Sequence, residues 1–130
     1  MIKMLDTNIC SYILRRNPTV LAHFQNQDLS QIALSSVVAA ELRYGAKKSS
    51  RPQLCTQIEE WLSVVPILAW DDAATHCYAL IRVDLERQGL PIGGMDLMIA
   101  AHALAENAVL VTHNTREFAR IEGLSLEDWV

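Results

Sequence analysis

The sequence predicts a three-layer α/β/α sandwich on a short parallel sheet of four or five strands. Short, nearly continuous apolar runs (Ile2–Leu5, Gln31–Leu34 and Val109–Thr112) read as strands buried on both faces. Longer stretches with helical apolar spacing lie between them, and such alternation marks a parallel sheet covered by helices. The length of 130 residues is that of one domain, spanning 1–130, with a core that needs no staples.

Each element has a local cause. The first run stops at Asp6-Thr7-Asn8, all good capping residues, and helical periodicity follows through Ile9, Tyr12, Ile13 and Leu14. Asn17-Pro18 breaks that helix, and Pro18 opens another through Val20, Leu21 and Phe24. After the second strand, Ser35-Ser36 cap a helix carrying Val37, Val38, Ala40, Glu41 and Tyr44, expected to end near Gly45. Pro52 starts a longer helix whose stripe is Leu54, Ile58, Trp61, Leu62 and Val65. Val64–Leu68 is strand-like, with Pro66 at its start or at a sheet edge. Asp71-Asp72 open a helix that Gly89 ends, and Pro91–Gly94 is a loop. Met95-Asp96 lead into Leu97–Ala105, a helix apolar on most sides. After the strand at Val109 come a turn at His113–Thr115, a short helix over Arg116–Arg120 and an edge strand at Leu124–Leu126.

With 51% apolar and 20% charged residues, the chain is neither disordered nor of low complexity. No apolar run approaches the ~18 residues of a membrane span. Asp6 interrupts the place where a secretory leader would build its apolar stretch, so a cytoplasmic protein is expected. Cys10, Cys55 and Cys77 have no paired spacing and read as small hydrophobes, not as a zinc or disulfide set. Net charge is −4, against the basic balance usual in nucleic-acid binders. Its distribution matters more: Arg43, Lys47, Lys48 and Arg51 follow one another with no acid between them. They read as a helix end suited to the macrodipole or as an anion-binding rim.

Open parallel sheets bind ligands beyond the carboxyl ends of their strands. The residues at that edge are Asp6, Ser35, Ser36, Glu41, Asp96, Thr112, Asn114 and Glu117. Asp6 and Asp96 read equally as helix caps, Asn114 as a left-handed turn residue and Glu117 as a surface residue. Glu41 is harder to set aside, because it sits among Val37, Val38, Ala39, Ala40 and Leu42, where an unpartnered carboxylate is costly. Metal-dependent phosphodiester hydrolysis would use all of these acids, since a divalent cation removes their mutual repulsion. Oxygen-only ligands favour Mg²⁺ or Mn²⁺ over zinc, and Thr7, Asn8 or Thr112 would orient the waters. A receiver domain would need an acidic pair at the first strand and a later lysine, and no lysine follows Lys48. An aspartyl phosphatase would want an Asp where Asn8 stands.

Four segments, in order, resemble the motifs of the PIN domain, in particular the VapC toxin type of ribonuclease. They are Met4–Asn8, Ser35–Gly45, Asp96–Ala103 and Val111–Phe118, and the resemblance covers essentially the whole chain. It implies metal-binding aspartates at Asp6 and Asp96, with Glu41 as the acid of the second motif. Where many relatives carry aspartate this chain has Asn114, whose amide brings no negative charge; Glu117, one turn later, could stand in. The resemblance further implies a Mg²⁺-dependent endoribonuclease toxin made with a VapB-type antitoxin and commonly dimeric. Its substrate would be RNA, a tRNA and in particular the initiator tRNA anticodon loop, so that cleavage inhibits translation. Arg43, Lys47, Lys48 and Arg51 would then be the RNA-binding rim, and a cation from the antitoxin would enter the acidic site. The alternative is a PIN-like regulatory module that binds RNA or protein without cutting.

Overall fold

A computed structural model describes residues 1–130. All five strands run parallel: β1 (Lys3–Leu5), β2 (Ile32–Ser35), β3 (Ile67–Leu68), β4 (Val109–Val111) and β5 (Ser125–Glu127). Their order is β3-β2-β1-β4-β5, and the predicted α/β/α sandwich is what the chain forms. Lys3, Met4 and Leu5 pair with Val109, Leu110 and Val111 on one side; Lys3 and Met4 pair with Ile32 and Ala33 on the other. The chain moves outward from β1 to β2 and β3 on one side, and reaches β4 and β5 on the other. The order therefore switches direction at β1, and the crevice beyond the ends of β1 and β4 is where such a sheet binds ligands.

Seven helices cover the sheet: α1 (Thr7–Leu14), α2 (Pro18–Gln25), α3 (Ser36–Ser49), α4 (Pro52–Val64), α5 (Asp72–Arg87), α6 (Gly94–Ala105) and α7 (Thr115–Phe118). Met4, Leu5, Leu34 and Leu110 are buried in the sheet, and Ile9, Val38, Leu85 and Phe118 pack on them from the helices. Cys10 is wholly buried in this core, and burial pushes its thiol well up. No helix is long and apolar enough to cross a membrane.

Several boundaries differ from those expected: α6 begins at Gly94, α7 covers Thr115–Phe118 and β5 covers Ser125–Glu127, and two larger shifts have a clear cause. Helix α3 does not end near Gly45 but runs to Ser49, because Leu42 and Ala46 bury one face across the glycine. It stops where Ser50 takes a left-handed conformation, φ 57°, just before Pro52 begins α4. Val64 belongs to α4, and β3 shortens to two residues. Pro66 has no amide for the ladder, but its carbonyl accepts from Leu34 N. Helix α5 ends as expected, with Gly89 at φ 71° supplying the left-handed turn. The segment after β5 is also packed: the Trp129 side chain is buried, stacks on His23 and donates from Nε1 to Glu127.

Candidate functional site

Asp6 leaves the end of β1 with an extended backbone, and its Oδ1 accepts from Ile9 N at 2.9 Å, capping α1. The capping reading is therefore correct, but it does not exhaust the residue. Asp6 is only 6% exposed, and its own amide donates to Val111 O, which ties it to the end of β4. Burial raises its carboxyl above the usual range. Hydrogen bonds from Thr112 and from the Ile9 and Asn8 amides oppose that rise, and the charge of Glu41 adds to it.

Glu41 lies in the second turn of α3, half-buried, and accepts from Thr7 Oγ1. That bond joins α3 to the first residue of α1 and holds Glu41 beside Asp6. Asp96 is in the first turn of α6, but it is not the cap: Gly93 holds that position, and the helix begins at Gly94. The capping explanation of Asp96 is thus removed. Burial raises its carboxyl most, followed by the charges of Asp6, Glu41 and Glu117. Glu117 accepts from the Asn114 side-chain amide, so α7 presents the two side chains as one unit. Asn114 is not in a left-handed conformation; its φ is −84°, and its backbone N donates to Thr112 Oγ1 at 3.0 Å.

Asp96 thus feels the charges of three carboxylates widely separated from it in sequence, and Asp6 that of Glu41, at one edge of the sheet. They do not form a closed cage of three or more protein ligands. An open set of oxygens fits a hard cation that keeps much of its water and binds one or two carboxylates directly. The repulsion felt at Asp96 is the cost such a cation would relieve.

The cationic residues separate into different roles. Arg43 is not a free rim charge: its guanidinium grips Glu59 of α4 with two bonds, Nε to Oε2 at 2.9 Å and Nη2 to Oε1 at 3.0 Å. Lys47 and Lys48 are exposed in the last turn of α3, and Lys48 lies over the Tyr44 ring. Arg51, at the head of α4, lines a cavity of about 520 Å³ between α1, α3 and α4. Thr7 and Glu41 line it too, so the cavity adjoins the acidic edge. Arg15, which is not among the residues expected at the site, lies on the same wall. Its signal was legible, because Asn8, Ser11 and Arg15 fall on one stripe of α1.

The place of His102 is not revealed by the sequence. It is wholly buried, with Nδ1 2.7 Å from Ser35 Oγ and no hydrogen-bond partner for Nε2, which lies 3.8 Å from Glu106 Oε1. Ser35 Oγ also accepts from Val37 N, so one hydroxyl caps α3 and meets α6. Burial pulls the imidazole pKa down, against the opposing charges of Glu106 and Asp71. His113 is an exposed turn residue, as expected, and pairs with Asp128.

The PIN domain profile matches residues 3–124. The chain is 45% identical to the ribonuclease VapC2 of Rickettsia felis, over 99% of this chain and 98% of that protein. It is 42% identical to the tRNA(fMet)-specific endonuclease VapC of Shigella flexneri, over 97% and 96% respectively. Among solved structures, VapBC2 from Rickettsia felis bound to a promoter DNA fragment superposes with a TM-score of 0.92 at 43% identity, covering both chains fully. DNA-bound VapBC from Salmonella typhimurium gives a TM-score of 0.94 at 38% identity, covering 100% of this chain and 99% of that one.

Proposed function

The chain belongs to the PIN domain family, and from that premise we propose that it is a divalent-metal-dependent endoribonuclease, the toxin of a toxin–antitoxin pair. The observation that carries this reading is the convergence of Asp6, Glu41, Asp96 and Glu117 at the switch point of the sheet. The names of the relatives support the same activity. On this reading one PIN domain spans 1–130.

Asp6 and Asp96 would hold Mg²⁺ or Mn²⁺, with Glu41 and Glu117 reaching it through water. When bound, the ion offsets charge building on the phosphate and lowers the pKa of a bound water. The chain's own residues do the positioning. Thr7 donates to one oxygen of Glu41 and so fixes that carboxylate. Asn114 fixes Glu117, which supplies the negative charge that the amide itself lacks. Thr112, buried just after β4, favours the charged form of Asp6, and its Oγ1 accepts from Asn114 N. The acidic edge cannot attract RNA by charge alone, so RNA contact falls to Lys47, Lys48 and Arg51 on the rim.

The substrate is structured RNA cut in a single-stranded loop, where bases are splayed and phosphates accessible. The name of the Shigella flexneri relative favours initiator tRNA, whose cleavage would inhibit translation in the cytoplasm. The partner is a VapB-type antitoxin, as in the solved VapBC complexes, and on this reading the toxin itself pairs as a homodimer. An Arg or Lys of that antitoxin would pair with the acidic residues. Its apolar side would rest on a groove lined by Ile13, Leu14, Leu21, Phe24 and Trp61, while Ile9 is wholly buried in the core. Sequencing of RNA ends after induction in cells tests the substrate: new ends in one tRNA anticodon loop are expected. Ends spread over messenger RNAs would remove the tRNA assignment and keep the nuclease.

A further inference from the structure

The cavity between α1, α3 and α4 shares Thr7 and Glu41 with the acidic edge, and Glu41 is its one acidic wall. Arg15 and Arg51 also line it, and neither is paired with a carboxylate. Arg15 is held in place by the Tyr12 ring, 5.2 Å from its guanidinium carbon, and by the Ser11 carbonyl. Leu54 and Ile58 of α4 add an apolar part to the lining. A recess with two unpaired guanidinium groups and an apolar wall is complementary to a nucleotide, which presents a phosphate and a flat base.

Gly45 gives an independent indication. It sits inside α3, where glycine costs ~1 kcal/mol relative to alanine. Its φ is not positive, and a Cβ added there would meet nothing within 4 Å. Neither backbone nor packing asks for glycine. Gly45 does line the cavity, and any larger residue would reduce the space there.

We propose that this cavity is a nucleotide subsite. It rests on the reading of the chain as an endoribonuclease, and it takes the RNA nucleotide next to the scissile phosphate. The base lies against Leu54 and Ile58, the flanking phosphate pairs with Arg15 and Arg51, and Gly45 keeps the space open. The pocket thereby selects RNA whose bases are unstacked, because a base held in a duplex cannot enter it.

The test uses the full chain and a labelled RNA stem–loop, with KM and kcat measured for wild type, Gly45→Ala, Gly45→Phe, Arg15→Ala and Arg51→Ala. KM is expected to rise with side-chain size at position 45, by about tenfold in Gly45→Phe, the factor carried by one lost base stack. Each arginine variant should raise KM and lower the salt slope of binding by about one phosphate contact, while kcat at saturation is retained. Melting curves serve as the fold control: Gly45→Ala should melt above wild type, and the other variants near it. Wild type that cleaves while Gly45→Phe cleaves with unchanged KM overturns the subsite alone. Wild type that does not cleave RNA overturns the activity and the subsite with it. Unchanged cleavage, with only inhibition by the cognate antitoxin lost, means that a protein segment fills the cavity, and it also overturns the proposal.

Discussion

Replacing Asp6 separates its two roles. The carboxylate caps α1 through Ile9 N, and it is also a buried charge beside Glu41. Asp6→Asn keeps an oxygen in the same place for the Ile9 amide and removes the charge. Asp6→Ala removes both. Loss of a cap costs ~1 kcal/mol, which for a domain of this size lowers the melting temperature by roughly 3–6 °C. The charge acts in the opposite direction. A carboxyl whose folded pKa is raised binds protons more readily folded than unfolded, so stability falls as pH rises through the window between 3.8 and the raised value. At neutral pH, without metal, that penalty is fully present, and Asn relieves it. In EDTA, Asp6→Asn should therefore melt at or above wild type, and Asp6→Ala below Asp6→Asn by those few degrees. Adding millimolar Mg²⁺ should raise the wild-type melting temperature by mass action and leave both variants where they were. Circular dichroism melts with and without Mg²⁺ read all of this. Asp6→Asn melting several degrees below wild type in EDTA would show that the charge stabilises the metal-free fold, and would refute the repulsion argument.

Three further predictions concern the rim and the core. Arg43→Ala should leave RNA binding nearly unchanged and shift stability little, as an exposed, solvent-screened ion pair does, because Glu59 already occupies its guanidinium. Lys47→Glu with Lys48→Glu should weaken RNA binding and flatten its salt dependence without altering the Mg²⁺-induced melting shift; equal effects from Arg43→Ala would return that residue to the rim. His102, buried with a lowered pKa, takes up a proton less readily than the unfolded chain does near its ordinary value of 6.5. Stability should thus fall as pH drops below about 6.5, and His102→Gln should flatten that limb of a urea-unfolding pH series. An unchanged limb would assign the acid sensitivity to other groups.

The fold was legible where one physical rule dominated. Strands β1, β2 and β4 are buried on both faces, so they read as continuous apolar runs. Asp6, placed directly after such a run, had to fall at the ligand edge. Asp96 was legible as an edge residue but not as a free carboxylate, because Gly93-Gly94 start the helix earlier than capping preference predicts. Contacts between distant segments left no local signature. Arg43 meets Glu59 across two helices, and His102 meets Ser35 across 67 positions. Helix α3 outran Gly45 because burial of its far turn outweighs the propensity of one residue.

On the proposed reading, the acidic edge cuts RNA only with a divalent ion. The most direct measurement is a Mg²⁺ titration of purified wild-type protein and Asp96→Asn, scored by cleavage of a labelled tRNA. Asp96 is half-buried, caps nothing and is repelled by the other three acids, so its variant should fold as wild type does. Cleavage by wild type should rise with Mg²⁺ and be abolished by EDTA, and the folded variant should not cleave at any Mg²⁺ concentration. Cleavage by wild type in EDTA, or undiminished cleavage by Asp96→Asn, would contradict that reading.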